Sequence, residues 1–134
     1  MADNRLICSV DDEEVFHWIV RGNLQRVKNP CELISFYNGD EILEYLLDTS
    51  NCRPNILLLD INMPICDGWK FLEGFSKLSE DQKSGIQIYI VTSSIDPKDQ
   101  LRAKQHPDVQ EFISKPINVD FLEDVLARIA IENQ

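Results

Sequence analysis

The stretch Asn55-Ile56-Leu57-Leu58-Leu59-Asp60 contains the most continuous apolar run of the chain. A strand that is apolar at every position is covered on both faces, which is the situation of a strand inside a parallel sheet. The stretch therefore predicts the central strand of a parallel sheet, with Asp60 at the carboxyl end of that strand.

Four more short apolar runs alternate with helical patterns along the sequence. They cover residues 5–10, 32–37, 86–91 and 109–113, and residues 79–85 are predicted as a polar loop. Helix starts are signalled by Asn38, three residues before Glu41, and by Asp96, which precedes a proline. This alternation predicts an α/β fold, a doubly wound (βα)5 parallel five-stranded sheet with right-handed crossovers.

The first predicted helix follows the acidic residues 11–14 and ends at Pro30. Its apolar residues recur at the helical period and are expected to face the core: Val15, Phe16, Ile19, Val20, Leu24 and Val27. His17 of the same helix is interpreted as a surface residue. The fourth predicted helix has few apolar residues, since only Leu101 and Ala103 are apolar between residues 98 and 105. We expect that helix to be loosely held.

The composition limits the classes of protein to which the chain can belong. The 134 residues suffice for one domain with its own core, and no apolar run approaches the roughly 20 residues that span a bilayer. Thirteen basic and twenty-three acidic residues give a net charge of −10, which makes nucleic acids and anionic membranes poor partners. Because the four cysteines lack metal-ligand spacing and no secretory signal is seen, we expect reduced thiols and a cytoplasmic location.

Charged and polar residues follow four of the five predicted strands. Strand one ends in Asp11 and Asp12, strand three in Asp60, strand four in Thr92, and strand five just before Lys115. Any one of these residues alone is more typical of a helix cap than of a catalytic group. Ligands of doubly wound sheets bind at the carboxyl ends of the strands, so we expect the five residues to converge there.

The chemistry of this set favours phosphoryl transfer. Three carboxylates brought together repel one another, and a hard divalent cation such as Mg²⁺, which prefers oxygen ligands, neutralises them. Lys115 adds a positive point charge and Thr92 a hydroxyl donor for phosphoryl oxygens. Asp60, between them, is free to act as a carboxylate nucleophile.

Four segments of the sequence resemble the motifs of response-regulator receiver domains. They are Val10-Asp11-Asp12, residues 58–68, residues 90–93 and Ser114-Lys115-Pro116. The match extends from about Arg5 to Ile131, in the family's order. The resemblance implies a flavodoxin-like strand order of 2-1-3-4-5, a single receiver domain over residues 1–134 with its core at about 5–131, and no output domain.

The resemblance also implies roles for particular residues. Asp60 would accept a phosphoryl group from a sensor histidine kinase or a phosphotransfer protein, and Thr92 and Lys115 would contact its oxygens. Mg²⁺, which Mn²⁺ can replace, would bind to Asp11, Asp12, Asp60 and the backbone carbonyl of Asn62. Pro64 and Gly68 would shape the loop after Asp60, and Lys115–Pro116 would be a cis peptide.

The resemblance also implies a conformational switch and a downstream protein partner. Thr92 and Phe112 would change conformation on phosphorylation, and a downstream protein would then bind the face formed by the fourth helix, the fifth strand and the last helix. The chain would be a monomer or a weak homodimer. It would not be an enzyme in the usual sense, because it would catalyse only its own phosphorylation and dephosphorylation.

Three other classes of protein are compatible with parts of this pattern. A flavin-binding electron carrier shares the architecture, but the acidic residues 11–14 after the first strand would repel a flavin phosphate. A stand-alone phosphatase or phosphotransferase is harder to separate, since receivers catalyse their own phosphorylation and dephosphorylation, but the absence of an acid/base histidine near the motifs argues against turnover of an outside substrate. The third is a receiver-fold scaffold that is never phosphorylated, and the intact set of acidic residues, Thr92 and Lys115 argues against it.

Overall fold

The computed structural model describes residues 5–28, 31–63 and 67–132. Five parallel strands form one sheet in the order β2-β1-β3-β4-β5, which confirms the predicted fold. The strands are β1 (Leu6–Val10), β2 (Glu32–Phe36), β3 (Ile56–Leu59), β4 (Gln87–Thr92) and β5 (Val109–Ser114). Every residue of β1, β3 and β4 is buried, as expected for strands covered on both faces.

The helices lie on both sides of this sheet. They are α1 (Glu14–Leu24), α2 (Gly39–Leu47), α3 (Gly68–Ser76), α4 (Glu80–Lys83), α5 (Pro97–Gln105) and α6 (Val119–Glu132). One core cluster joins the sheet to residues of α2, α3 and α5, and a second joins it to residues of α1 and α6. No helix in these described ranges is both long and apolar enough to cross a membrane.

The capping residues explain where the helices begin. The side chain of Asn38 accepts a hydrogen bond from the Glu41 amide at the start of α2, and that of Asp96 accepts one from Lys98 at the start of α5. Helix α4 lies in the segment predicted as a polar loop, and that prediction was wrong. Ser79 and Gln82 form a reciprocal capping box there, which satisfies two of the free amide groups at the helix start.

The prediction for α1 was wrong in two respects. The helix ends at Leu24, and Pro30 lies outside the described residues. Val15 and Ile19, predicted to be buried, are 59% and 39% exposed, whereas His17 is fully buried. The buried face of α1 therefore includes His17 together with Val20 and Leu24, at the spacing i, i+3, i+7.

A register shift between β4 and β5 sets the geometry of the sheet's edge. The shift lies at Ile88 and Tyr89, and beyond it Thr92 pairs with Ser114. The Lys115 amide then donates a hydrogen bond to the Thr92 carbonyl at 2.9 Å. Thr92 and Lys115 therefore leave the sheet side by side.

Candidate functional site

Three carboxylates meet at the carboxyl edge of the sheet. Asp11, Asp12 and Asp60 each offer an oxygen atom, and these atoms all lie within 4.8 Å of one another. Asp11 is fully buried, Asp60 is 5% exposed, and Asp12 is exposed. The backbone holds the two buried residues, because the Asp11 amide donates to Phe36 O and the Asp60 amide donates to Val10 O, both at 3.0 Å.

Lys115 places a positive charge beside the buried carboxylates. Its Nζ atom lies 2.6 Å from Asp11 Oδ2 and 3.6 Å from Asp60 Oδ2, and its side chain is only 17% exposed. Burial by itself lowers the pKa of Lys115, but the hydrogen bond to Asp11 and the charges of Asp60, Asp11 and Glu13 outweigh it and leave the pKa raised. Lys115 is therefore held in its charged form.

At Asp60, burial prevails over the groups that favour the charged form, whereas at Lys115 it does not. Burial raises the pKa of its carboxyl group, and the charge of Asp11 adds to the rise. Three groups offset part of this rise in pKa: the Asn62 amide, which donates to Asp60 Oδ1 at 3.2 Å, the charge of Lys115 and the Thr92 hydroxyl. The net pKa is raised, so the carboxylate of Asp60 is costly to keep charged in this site.

Thr92 adds a hydroxyl group to this edge and is fully buried at the end of β4. Its hydroxyl accepts a hydrogen bond from the Ser94 amide at 3.2 Å. Phe112 lies on the neighbouring strand, opposite Ile90, and its half-buried ring packs on the core beside α5. The structure thus sets Thr92 beside Asp60 and Phe112 one strand further out.

Asn62, Pro64, Gly68 and Pro116 were also named from the sequence. The Lys115–Pro116 peptide is cis, as the resemblance implies. Asn62 is exposed, and its backbone amide contacts Asp60. Pro64 lies outside the described residues. Gly68 is buried at the start of α3, and its amide donates to the Ile61 carbonyl at 3.3 Å.

The backbone after Asp60 passes very close to Gly68. A Cβ atom at Gly68 would lie 2.7 Å from the Asp60 carbonyl oxygen and 2.7 Å from Ile61 Cα, closer than real Cβ contacts. Both neighbouring atoms belong to the backbone, so neither can turn away. Only glycine fits here without displacing the segment that carries Asp60.

Replacing Gly68 by Ala is therefore expected to destabilise the protein by about 1–3 kcal/mol, the usual cost of overpacking. Gly22 is the matched control, because a Cβ atom there meets nothing within 4 Å. Gly22→Ala in α1 should stabilise by roughly 0.5–1 kcal/mol, since glycine is a poor helix former. Thermal unfolding of both variants measures the difference. A Gly68→Ala variant as stable as the wild-type chain would contradict the close approach of Gly68 to the backbone of Asp60 and Ile61.

His17 is the residue of this region that the sequence reading misplaced. It is fully buried rather than on the surface, with Nδ1 2.6 Å from Ser9 Oγ and Nε2 2.8 Å from the Asp11 carbonyl oxygen. A signal was available, because His17 shares the i, i+3, i+7 spacing of Val20 and Leu24. A serine within the apolar run of strand one was a second signal, since a buried hydroxyl requires a partner.

The donor set fits a hard divalent cation. All three candidate side-chain ligands are carboxylates, which Mg²⁺ and Mn²⁺ prefer, and one of them is open to solvent. The group could hold a metal ion.

Comparison with known proteins identifies the family. The model of the response regulator receiver domain matches residues 7–127. The sensor histidine kinase CheAY of Helicobacter pylori is 28% identical over 123 residues, which are 92% of the chain but only 15% of that protein. The two component response regulator from Cytophaga hutchinsonii superimposes with a TM-score of 0.77 at 25% identity, covering 96% of this chain and 98% of the other.

A third comparison concerns a structure solved with a metal. The Mn²⁺-bound form of response regulator Rcp1 gives a TM-score of 0.74 at 23% identity, covering 93% of this chain and 91% of the other. The fold is the same, and the family model spans most of the sequence. The chain therefore belongs to the receiver domains of two-component response regulators, a family of phosphoacceptor signalling domains.

Proposed function

We propose that the chain is a Mg²⁺-dependent phosphoacceptor switch in which Asp60 takes a phosphoryl group from the phosphohistidine of a histidine kinase or a phosphotransfer protein. One observation carries the proposal. The buried Asp60 carboxylate lies at the sheet edge beside two further carboxylates and 3.6 Å from the Lys115 ammonium group. This combination of nucleophile, anionic ligands and fixed cation is what phosphoryl transfer requires.

In the reaction, a carboxylate oxygen of Asp60 attacks the phosphorus atom of the donor. An O–P bond forms to Asp60, the P–N bond of the phosphohistidine breaks, and its electron pair returns to the imidazole nitrogen. Lys115 supplies positive charge and Thr92 a hydroxyl donor to the phosphoryl oxygens. The product is an aspartyl phosphate on this chain.

Asp11, Asp12, Asp60 and the backbone carbonyl of Asn62 are the proposed ligands of the cation. When bound, Mg²⁺ neutralises the charge that develops on the transferring phosphoryl group. The acidic cluster supports this assignment, and Mn²⁺ is the proposed substitute because a structural neighbour binds it. Asp11 needs a new counter-charge whenever Lys115 turns from it toward a phosphoryl group, and the cation provides that charge.

The proposed output is a change in the face formed by α5, β5 and α6. A phosphoryl group on Asp60 adds negative charge and strong acceptors within reach of Thr92 and Lys115. Movement of Thr92 toward it would open space for the ring of Phe112. Helix α5 can follow, because only Ala103 of its residues is buried.

The proposed partners follow from this output. A histidine kinase or a phosphotransfer protein delivers the phosphoryl group, and a downstream protein reads the α5–β5–α6 face. We propose a cytoplasmic protein that is a monomer or a weak homodimer, and that acts on no outside substrate. The net charge of −10 supports protein partners rather than nucleic acids.

The test uses acetyl phosphate as a small phosphodonor and intact mass as the readout. With Mg²⁺ present, we expect a gain of one phosphoryl group, and with the metal chelated we expect none. Mn²⁺ should restore the gain after chelation. A protein that binds Mg²⁺ but gains no mass with either acetyl phosphate or a phosphorylated kinase would favour the scaffold function over the switch.

A further inference from the structure

The first turn of α1 touches both partners of the central ion pair. The ring of Phe16 lies under Lys115, with Nζ 4.8 Å from the ring centroid, and His17 contacts the backbone of Asp11. Lys115 and Asp11 are themselves 2.6 Å apart. Two adjacent side chains of one helix therefore contact the ammonium group of Lys115 and the backbone of Asp11.

The contacts of His17 determine where its proton lies. The Asp11 carbonyl can only accept a hydrogen bond, so Nε2 must carry a proton and donate it at 2.8 Å. The Ser9 hydroxyl, 2.6 Å from Nδ1, can donate to that nitrogen. With a proton on Nε2, the ring donates to the Asp11 carbonyl, and Nδ1 can accept from Ser9, so both contacts are satisfied inside the core.

Tyr37 covers the imidazole from the solvent side. The two rings meet edge to face with centroids 4.6 Å apart, and the Tyr37 hydroxyl donates to Glu14 at 2.8 Å. His17 is thereby fully shielded from water. A hydrogen bond in such surroundings has no water to replace it, so its loss leaves the Asp11 carbonyl unsatisfied.

Asp11 is held from several directions. Its amide donates to Phe36 O at 3.0 Å, its carbonyl accepts from His17, and its Oδ1 atom accepts from the Glu13 amide at 2.9 Å. Oδ2 is bound by Lys115. His17 thus fixes the peptide that joins Asp11 to Asp12, the two neighbouring carboxylates of the cluster.

We propose that His17, oriented by Ser9, is a positioning residue for the cation site. It holds the Asp11–Asp12 peptide so that both carboxylates point at the same place, and it does not touch the cation or the phosphoryl group. The role rests on the proposed function, which makes Asp11 and Asp12 ligands. Partners that orient metal ligands typically contribute 10- to 100-fold to metal affinity.

The test compares Mg²⁺ binding by calorimetry in matched variants. His17→Phe keeps a flat ring and loses both hydrogen bonds, so we expect Mg²⁺ to bind roughly 10- to 100-fold more weakly. His17→Gln retains an amide donor at the distance of Nε2 and should recover most of the affinity. His106→Phe is the control, because His106 lies at the far end of α5 and its replacement should leave Mg²⁺ binding unchanged.

A second readout needs neither metal nor phosphoryl group. In histidine-selective ¹⁵N spectra of the wild-type chain, the His17 Nε2 should be protonated and Nδ1 should be an acceptor. Ser9→Ala should shift the Nδ1 resonance and leave the proton on Nε2. If His17→Phe does not fold, this spectrum still tests the hydrogen bond from His17 Nε2 to the Asp11 carbonyl, and the Mg²⁺ affinity of His17→Gln tests its effect on the cation site.

The outcomes separate the two proposals. Wild-type affinity in folded His17→Phe, or an Nε2 that carries no proton, overturns the role of His17 while phosphorylation of the wild-type chain still stands. A wild-type chain whose Mg²⁺ affinity depends on His17 but which accepts no phosphoryl group overturns the proposed function alone. A wild-type chain that binds no Mg²⁺ overturns the role of His17 together with the cation site.

Discussion

Asp60→Asn is expected to abolish phosphoryl uptake from acetyl phosphate completely. The amide has no nucleophilic carboxylate oxygen, and the other carboxylates of the cluster do not replace it, because Asp11 is bound to Lys115 at 2.6 Å and Asp12 is exposed. Intact mass with Mg²⁺ present measures the loss. Asp81→Asn, a change at an exposed position in α4, is the control that should retain full uptake.

The same substitution should stabilise the protein in the absence of metal. Burial and the charge of Asp11 raise the pKa of Asp60, so the ionised form of the residue opposes folding at neutral pH. Single stabilising substitutions commonly gain about 0.5–2 kcal/mol, and we expect Asp60→Asn to fall in this range. Thermal unfolding in chelator should show a higher midpoint for Asp60→Asn than for the wild-type chain.

The pH dependence of the stability gained by Asp60→Asn follows from the raised pKa of Asp60. Between the unfolded pKa of about 3.9 and the raised folded pKa, the folded chain binds more protons than the unfolded chain. The contribution of Asp60 to the unfolding free energy therefore falls as the pH rises through this window. The advantage of Asp60→Asn should be full above the folded pKa and should disappear below the unfolded value. An advantage that grows in acid would contradict a raised pKa.

Lys115→Met should destabilise the metal-free protein by about 3 kcal/mol, the scale for breaking a buried ion pair by removing one partner. Asp11 is fully buried, and it would lose the ammonium group that lies 2.6 Å from its Oδ2 atom. Mg²⁺ supplies a replacement charge, so it should raise the unfolding midpoint of this variant more than that of the wild-type chain.

The phosphorylation rate of Lys115→Met should also fall, by on the order of 10²–10³-fold, since a preorganised charge is removed from the transferring group. Lys77→Met, at an exposed position after α3, is the matched control for both measurements. Unfolding midpoints in chelator and in Mg²⁺ test the electrostatic account. If Lys115→Met were as stable as Lys77→Met without metal, Lys115 would not be the counter-charge of Asp11.

The convergence of the site residues was predictable because parallel strands end at one edge of a sheet. Asp11 and Asp60 each follow a strand that is buried throughout, and Thr92 is the last residue of another, so the ends of the strands predict where these residues lie. Lys115 needed the register as well, since the shift at Tyr89 decides that Ser114 pairs with Thr92. Their roles in phosphoryl transfer remain predictions.

The errors of the sequence reading have physical causes. Helix α1 carries more apolar residues than it buries. Counting apolar positions therefore predicted that Val15 and Ile19 are buried and that His17 is exposed, and the structure shows the reverse. A buried histidine depends on its partners, and the Ser9 hydroxyl and Asp11 carbonyl come from β1 and the loop after it. Helix α4 was missed because the four polar residues Glu80 to Lys83 show no apolar period, although Ser79 and Gln82 form its capping box.

The measurement that tests the central claim most directly locates the phosphoryl group. After reaction with acetyl phosphate and Mg²⁺, borohydride reduces an aspartyl phosphate to homoserine and so marks the modified residue permanently. Trypsin, which does not cut between Arg53 and Pro54, separates Asp60 in residues 29–70 from Asp11 and Asp12 in residues 6–21. We expect homoserine at position 60 and an unmarked 6–21 peptide. A mark at position 11 or 12, or a phosphoryl group on a hydroxyl side chain that borohydride does not remove, would contradict the account.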